Sequence, residues 1–173
     1  MWTMKTIRQI GFVALLLAVC ACGGRQKAAT MEGLYTYGHS FNYDLDGNHF
    51  EVSETGTMDF YADGTALDSA RQVYTSTLAN GDTATWVYNY ISPSRWRLEG
   101  DTLHFAGTQE GFRMEVTEGT PTELAQRIAD LYRGGIDYEY HFHLDTLTAD
   151  RLQWSFTYRD GHSDTWAFIK VEN

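Results

Sequence analysis

Ile136-Asp137-Tyr138-Glu139-Tyr140-His141-Phe142-His143-Leu144-Asp145 alternates apolar and polar side chains without a break. Successive side chains of a strand point to opposite faces. The run therefore sets Ile136, Tyr138, Tyr140, Phe142 and Leu144 against a core and Asp137, Glu139, His141, His143 and Asp145 toward water. The pattern repeats at once: Leu152, Trp154, Phe156 and Tyr158 alternate with Gln153, Ser155, Thr157 and Arg159. Asp160-Gly161 then turns the chain into a last strand over Thr165–Val171. In that strand Ile169 and Val171 read as covered like Trp166 and Phe168. This third of the chain is antiparallel sheet.

Upstream the same signals recur. A first strand opens at Glu32-Gly33-Leu34-Tyr35 and runs to about Gly38, before a polar stretch, 39–49, with a turn at Asp46-Gly47-Asn48. Phe50 to Tyr61 forms the second, with Met58 and Phe60 on one face. Asp63-Gly64 and Asn80-Gly81 are hairpin turns. Thr83 to Ile91 puts Trp86, Tyr88 and Tyr90 on one face, and Pro93 breaks the run. Short strands follow over Arg95–Glu99, Thr102–Ala106 and Gly111–Thr117. One helix interrupts them over 121–133: Thr120-Pro121-Thr122-Glu123 reads as a capping box with Pro at the first helical position. Leu124, Ile128, Leu131 and Tyr132 share its apolar face, and Gly134-Gly135 ends it. About 8–10 strands joined by tight turns predict an all-β, antiparallel up-and-down β-barrel with one inserted helix. A sandwich carries the same alternation.

Residues 11–24 differ from all of this. Lys5 and Arg8 precede an apolar run that ends in Cys20-Ala21-Cys22-Gly23-Gly24, and these two cysteines are the only ones in the chain. A basic start, a short apolar run and small residues at its end make a secretory signal peptide. The segment is shorter than the roughly 20 residues of a spanning helix. Val19-Cys20-Ala21-Cys22 resembles the lipobox of bacterial lipoproteins. The resemblance implies cleavage before Cys22 and lipidation of its thiol, with Leu17-Ala18-Val19-Cys20 as the alternative frame at Cys20. An ordinary secreted protein cut after Ala21 is the plainer reading. On the lipoprotein reading the chain divides into a signal peptide (1–21), a lipidated cysteine with a flexible tether (22–30) and one domain (31–173). Its partner is a membrane reached through the lipid, and its place is the cell envelope, at the outer membrane in a Gram-negative cell.

Once Lys5 and Arg8 are removed, 11 basic residues face 23 acidic ones, a formal net charge of −12. That excludes a nucleic-acid partner of the usual kind, which needs Lys and Arg clusters. The mature domain has no cysteine, so no disulfide framework and no thiolate nucleophile.

Four further stretches resemble lipocalin-like domains of small bacterial lipoproteins. They are Glu32-Gly33-Leu34-Tyr35, Phe60-Tyr61-Ala62-Asp63-Gly64-Thr65, Trp96-Arg97-Leu98-Glu99-Gly100-Asp101-Thr102-Leu103, and Leu147-Thr148-Ala149-Asp150-Arg151-Leu152 with Trp166-Ala167-Phe168. The resemblance implies a barrel and a small hydrophobic ligand. The inward aromatic residues fit such a cavity, or a core filled by its own side chains. In a cavity Tyr88, Tyr90, Tyr138, Tyr140 and Trp154 are the expected ligand contacts. The alternative is a non-catalytic envelope module that recognises a protein or glycan through its loops.

Other chemistry is weaker. His141 and His143, flanked by Glu139 and Asp145, are ligand types for zinc but fall on the polar face. Asp44-Leu45-Asp46-Gly47-Asn48 alternates oxygen ligands without the spacing of a calcium loop. No nucleophile elbow, phosphate loop or paired carboxylates stand out in the sequence, so no enzyme, cofactor or metal is expected.

Overall fold

The computed structural model describes residues 30–78, 80–119, 122–137, 139–159 and 161–172. The described strands are β1 (Gly33–Leu45), β2 (Asn48–Phe60), β3 (Thr65–Thr77), β4 (Thr83–Glu99), β5 (Thr102–Gly107), β6 (Arg113–Glu118), β7 (Glu139–Leu147), β8 (Arg151–Thr157) and β9 (Ser163–Lys170). One helix, α1 (Glu123–Gly135), lies between β6 and β7. Eight strands pair antiparallel in the circuit β1-β2-β3-β4-β5-β7-β8-β9. Tyr35–Tyr37 against Phe168–Lys170 returns the circuit to β1. This is a closed barrel with one short helix, and the sandwich is excluded because a single sheet meets itself.

The ninth strand explains the helix. β4 gives one edge wholly to β3 and divides the other. Its Ser94–Glu99 half pairs with β5 and its Val87–Ile91 half with β6. Pro93 sits at the join, within β4 rather than at its end. Its carbonyl accepts the Thr108 N–H at 2.9 Å, where the chain crosses from β5 to β6. A strand residue directs its amide and carbonyl to the same edge, so the N–H that proline lacks faces this interruption and no ladder bond is lost. The chain then leaves the wall as α1 and rejoins it at β7.

Three other boundaries depart from the expected ones. β1 continues to Leu45, because Tyr35, Tyr37, His39, Phe41, Tyr43 and Leu45 all fall on the more buried face. The polar residues between them face water, and Asp46, with φ 52°, makes the turn. The helix cap is Thr122, whose hydroxyl accepts the Ala125 N–H at 3.2 Å; Thr120 and Pro121 of the expected capping box lie outside the described residues. Gly134 and Gly135 remain within the helix and take no positive φ. The outer face of β9 is open to water, with Ile169 64% exposed.

Inside, two apolar clusters fill opposite parts of the barrel. Tyr35, Met58, Phe60, Leu103, Leu152, Trp154 and Phe168 belong to one. Phe50, Val52, Tyr74, Trp86, Tyr88 and Met114 form the other with Ala125, Ile128 and Ala129 of the helix. Between them the register aligns Tyr37, Gly56, Ala70 and Tyr90 across β1 to β4. The two small residues leave room for the two tyrosines to lean toward each other. A Cβ on Gly56 would stand 2.7 Å from both the Ala70 Cβ and the Ser69 carbonyl oxygen. Gly56→Ala is therefore expected to cost roughly 1–3 kcal/mol, read from the urea unfolding midpoint. An unchanged midpoint would show that the row is loosely packed.

Candidate functional site

A cavity of about 600 Å³ opens between the helix and the β5, β7, β8 and β9 wall. Phe105, Phe142, Phe156 and Trp166 line it from the strands, and Ile128, Leu131 and Tyr132 from the helix. Leu131, Tyr140 and Tyr158 line it and are 54%, 41% and 42% exposed, so it communicates with solvent beside the helix. Its volume lies within the range that accommodates small organic ligands. The helix is held over it by polar ties. Tyr88 donates to the Ala125 carbonyl at 2.5 Å, Tyr74 to the Tyr132 hydroxyl at 3.1 Å, and the Gln109 side chain to the Arg133 carbonyl at 2.8 Å.

Asp68 is the one charged side chain among the described residues lining this cavity. It belongs to a cluster at the level of the Tyr37–Tyr90 row. The Tyr37 hydroxyl lies 2.6 Å from Glu54 Oε1 and 2.8 Å from Asp68 Oδ1. The Tyr90 hydroxyl lies 2.8 Å from Glu54 Oε1 and 2.8 Å from Asp68 Oδ2. The two hydroxyls are 3.2 Å apart. Gln72 donates to the other Glu54 oxygen at 2.7 Å. Glu54 is buried, and the three groups that reach it, Tyr37, Tyr90 and Gln72, each carry a hydrogen to donate.

Counting protons decides the state of this cluster. Four short oxygen–oxygen contacts share two phenolic protons, since each tyrosine donates only once. With both carboxyls ionised, two contacts would set lone pair against lone pair. A proton on Asp68 turns a third contact into a hydrogen bond and removes one of two adjacent buried charges. Burial first, and the Glu54 charge second, raise the Asp68 pKa from 3.8 to about 7, against the lowering effect of the tyrosine bonds. Burial also drives the Tyr37 and Tyr90 hydroxyls far above their ordinary range, so both remain protonated donors.

Of the expected ligand contacts, Tyr90 and Tyr140 line the cavity. Tyr88 and Trp154 sit in the packed core, 0% and 4% exposed, with Trp154 against Phe168 at 4.2 Å between ring centres. Tyr138, Cys20 and Cys22 lie outside the described residues. The reading of the sequence missed Glu54, Asp68 and Tyr37. Each had a signal: Glu54 falls in phase with inward Val52 and Met58, Asp68 with Ala66 and Ala70, and Tyr37 with Tyr35. His39 was missed as well. It lies opposite Glu54 on the inner face, with its ring 4.6 Å from that of Trp166 and a buried Nε2 that has no hydrogen-bond partner among the described residues.

On the outer face, His104 of β5 pairs with His141 of β7, and both approach Glu139 at 3.0 Å. Their ligand atoms lie within 4.8 Å of one another. Arg97 reaches the same Glu139 oxygen at 3.3 Å, so that carboxylate already has a cation. Hydrogen bonds from His104, then His141, hold Glu139 below the usual carboxylate range. His143 stands apart, 3.7 Å from Asp101 and 3.8 Å from Asp145. In the acidic turn Asp44 pairs with His49 at 2.7 Å and Asp46 with Arg127 at 2.6 Å.

The fold and cavity together define a lipocalin-like barrel with one helix and an internal, largely apolar chamber. Comparison with known proteins finds no family model and no curated protein that matches this chain.

The protonation of Asp68 makes a stability prediction. Its pKa is higher folded than unfolded, so the native state holds more protons between pH 3.8 and 7. Stability contributed by this group is present in acid and is lost as the pH rises through that window. Asp68→Asn, neutral at every pH, should lose less stability than wild type over the interval, by up to roughly 1.4 kcal/mol per pH unit in urea unfolding. Parallel curves for the two proteins would contradict the assignment.

Proposed function

We propose that this chain is a lipid-anchored protein of the cell envelope whose barrel holds a small hydrophobic ligand. The cavity carries the ligand half of the reading: about 600 Å³, walled by aromatic and aliphatic side chains, with an exposed apolar rim. A barrel of eight strands is just wide enough to be filled by its own side chains. Here the helix replaces part of that filling and leaves space along one wall. The anchor half rests on the Lys5–Cys22 segment and on the acidic composition, which gives a membrane surface little to attract. Two or more acyl chains would supply stable attachment.

Diphenylhexatriene, a neutral apolar fluorophore, tests the ligand half. Saturable binding to the purified full chain with a Kd of about 1 μM or tighter is expected. Ser92→Trp, which puts bulk into the cavity, should abolish it. No saturable signal with the wild type would overturn the reading. Metabolic labelling with palmitate tests the anchor: label should persist in Cys20→Ser and vanish in Cys22→Ser, and the reverse would move the anchor to Cys20.

A further inference from the structure

We propose that the cavity's ligand carries a protonated amine on an apolar body, and that the ammonium group docks on Asp68 beside Tyr90. This rests on the reading of the barrel as a ligand-binding chamber and names the chemistry of what enters it.

Three observations converge. The first is the charge of the wall. Asp68 is the one charged side chain among the described lining residues, and it is an acid. The groups that act on it are Glu54, Tyr37 and Tyr90, none of them a cation. A charge in an apolar chamber with no cation beside it is costly, and the tyrosine bonds offset only part of that cost, so Asp68 takes up a proton. An ammonium group in place of that proton would pair with the carboxylate and bring its own donors to oxygens that lack them.

The second is the arrangement of donors. Gln72 donates to Glu54, and the two hydroxyls lie within hydrogen-bond distance of both carboxyl groups and of each other. Four short contacts compete for two phenolic protons, so the cluster is short of donors. A ligand that ends in an acceptor, such as a carboxylate, would deepen the shortage and meet two acidic groups. A ligand that ends in N–H bonds relieves it.

The third is the surrounding surface. Tyr90 and Tyr132 line the same chamber as Asp68. Aromatic faces attract a desolvated cation, most strongly where water is excluded. The remaining wall is apolar and suits a hydrocarbon or aromatic body.

The test uses three ligands with one body: 6-phenylhexylamine, 6-phenylhexanol and 6-phenylhexanoic acid, titrated into the purified full chain at pH 7.5 with tryptophan fluorescence as the signal. The amine should bind about tenfold more tightly than the alcohol, a difference of about 1.4 kcal/mol, and the acid most weakly. Asp68→Asn, with its fold checked by circular dichroism, should bind the amine no more tightly than the alcohol; a tenfold preference for the amine that persists in the folded variant would overturn the site. The ranking of the three ligands on the wild type stands whatever the variant does. If the alcohol or the acid binds as well as the amine, the ammonium site is refuted and the hydrophobic chamber is kept. If none of the three binds, the ligand-binding reading and this proposal fall together.

Discussion

Two tyrosine hydroxyls meeting over two carboxyl groups set the interior of this barrel. Tyr37 and Tyr90 can meet only because Gly56 and Ala70 stand between them across the sheet. They stay protonated because they are buried. Each donates one proton, and together they face more acceptor oxygens than they can satisfy. A buried polar cluster gains stability with each bond it completes, so it favours both this register of β1 to β4 and a proton on Asp68. The apolar clusters on either side of it lower the local dielectric and strengthen these contacts.

The cavity is a consequence of how the wall is built. β4 is long enough to carry two short partners, and the chain leaves the wall between them at Pro93. The helix that follows packs Ala125, Ile128 and Ala129 onto Phe50, Tyr74 and Trp86. Ile128, Leu131 and Tyr132 also line the space between the helix and the β7–β9 wall without filling it. The space therefore lies between a packed half and a lined half, and Asp68 stands on the boundary. A filled barrel would give Asp68 no open side. A wholly open one would give it water and an ordinary pKa.

Much of the fold was legible because a barrel strand with one wet face alternates. Tyr140-His141-Phe142-His143 and Trp154-Ser155-Phe156-Thr157 show their faces in any register. The long β1 was harder to read, since Ser40, Asn42 and Asp44 suggest a loop until Phe41, Tyr43 and Leu45 are seen to share an inner face. Pro93 was misleading for a related reason: a missing N–H breaks a strand only if the partner strand needs it there. The site was less legible than the fold. Glu54 and Asp68 are single acids in phase with apolar rows, and a polar residue at an inward position signals function only once its partners are known. Tyr37 and Tyr90 are 53 residues apart, and only the closing of β1 to β4 puts their hydroxyls in reach. Tyr88 and Trp154 look like equally good ligand contacts in the sequence, because alternation reports facing and not depth along the barrel.

The proton that Asp68 shares with the tyrosines holds this interior together. Carboxyl ¹³C NMR of the folded full chain, with the Asp68 resonance assigned by its loss in Asp68→Asn, measures this directly. A titration midpoint near 7 is the expected result, and a midpoint near 3.8 would contradict the account.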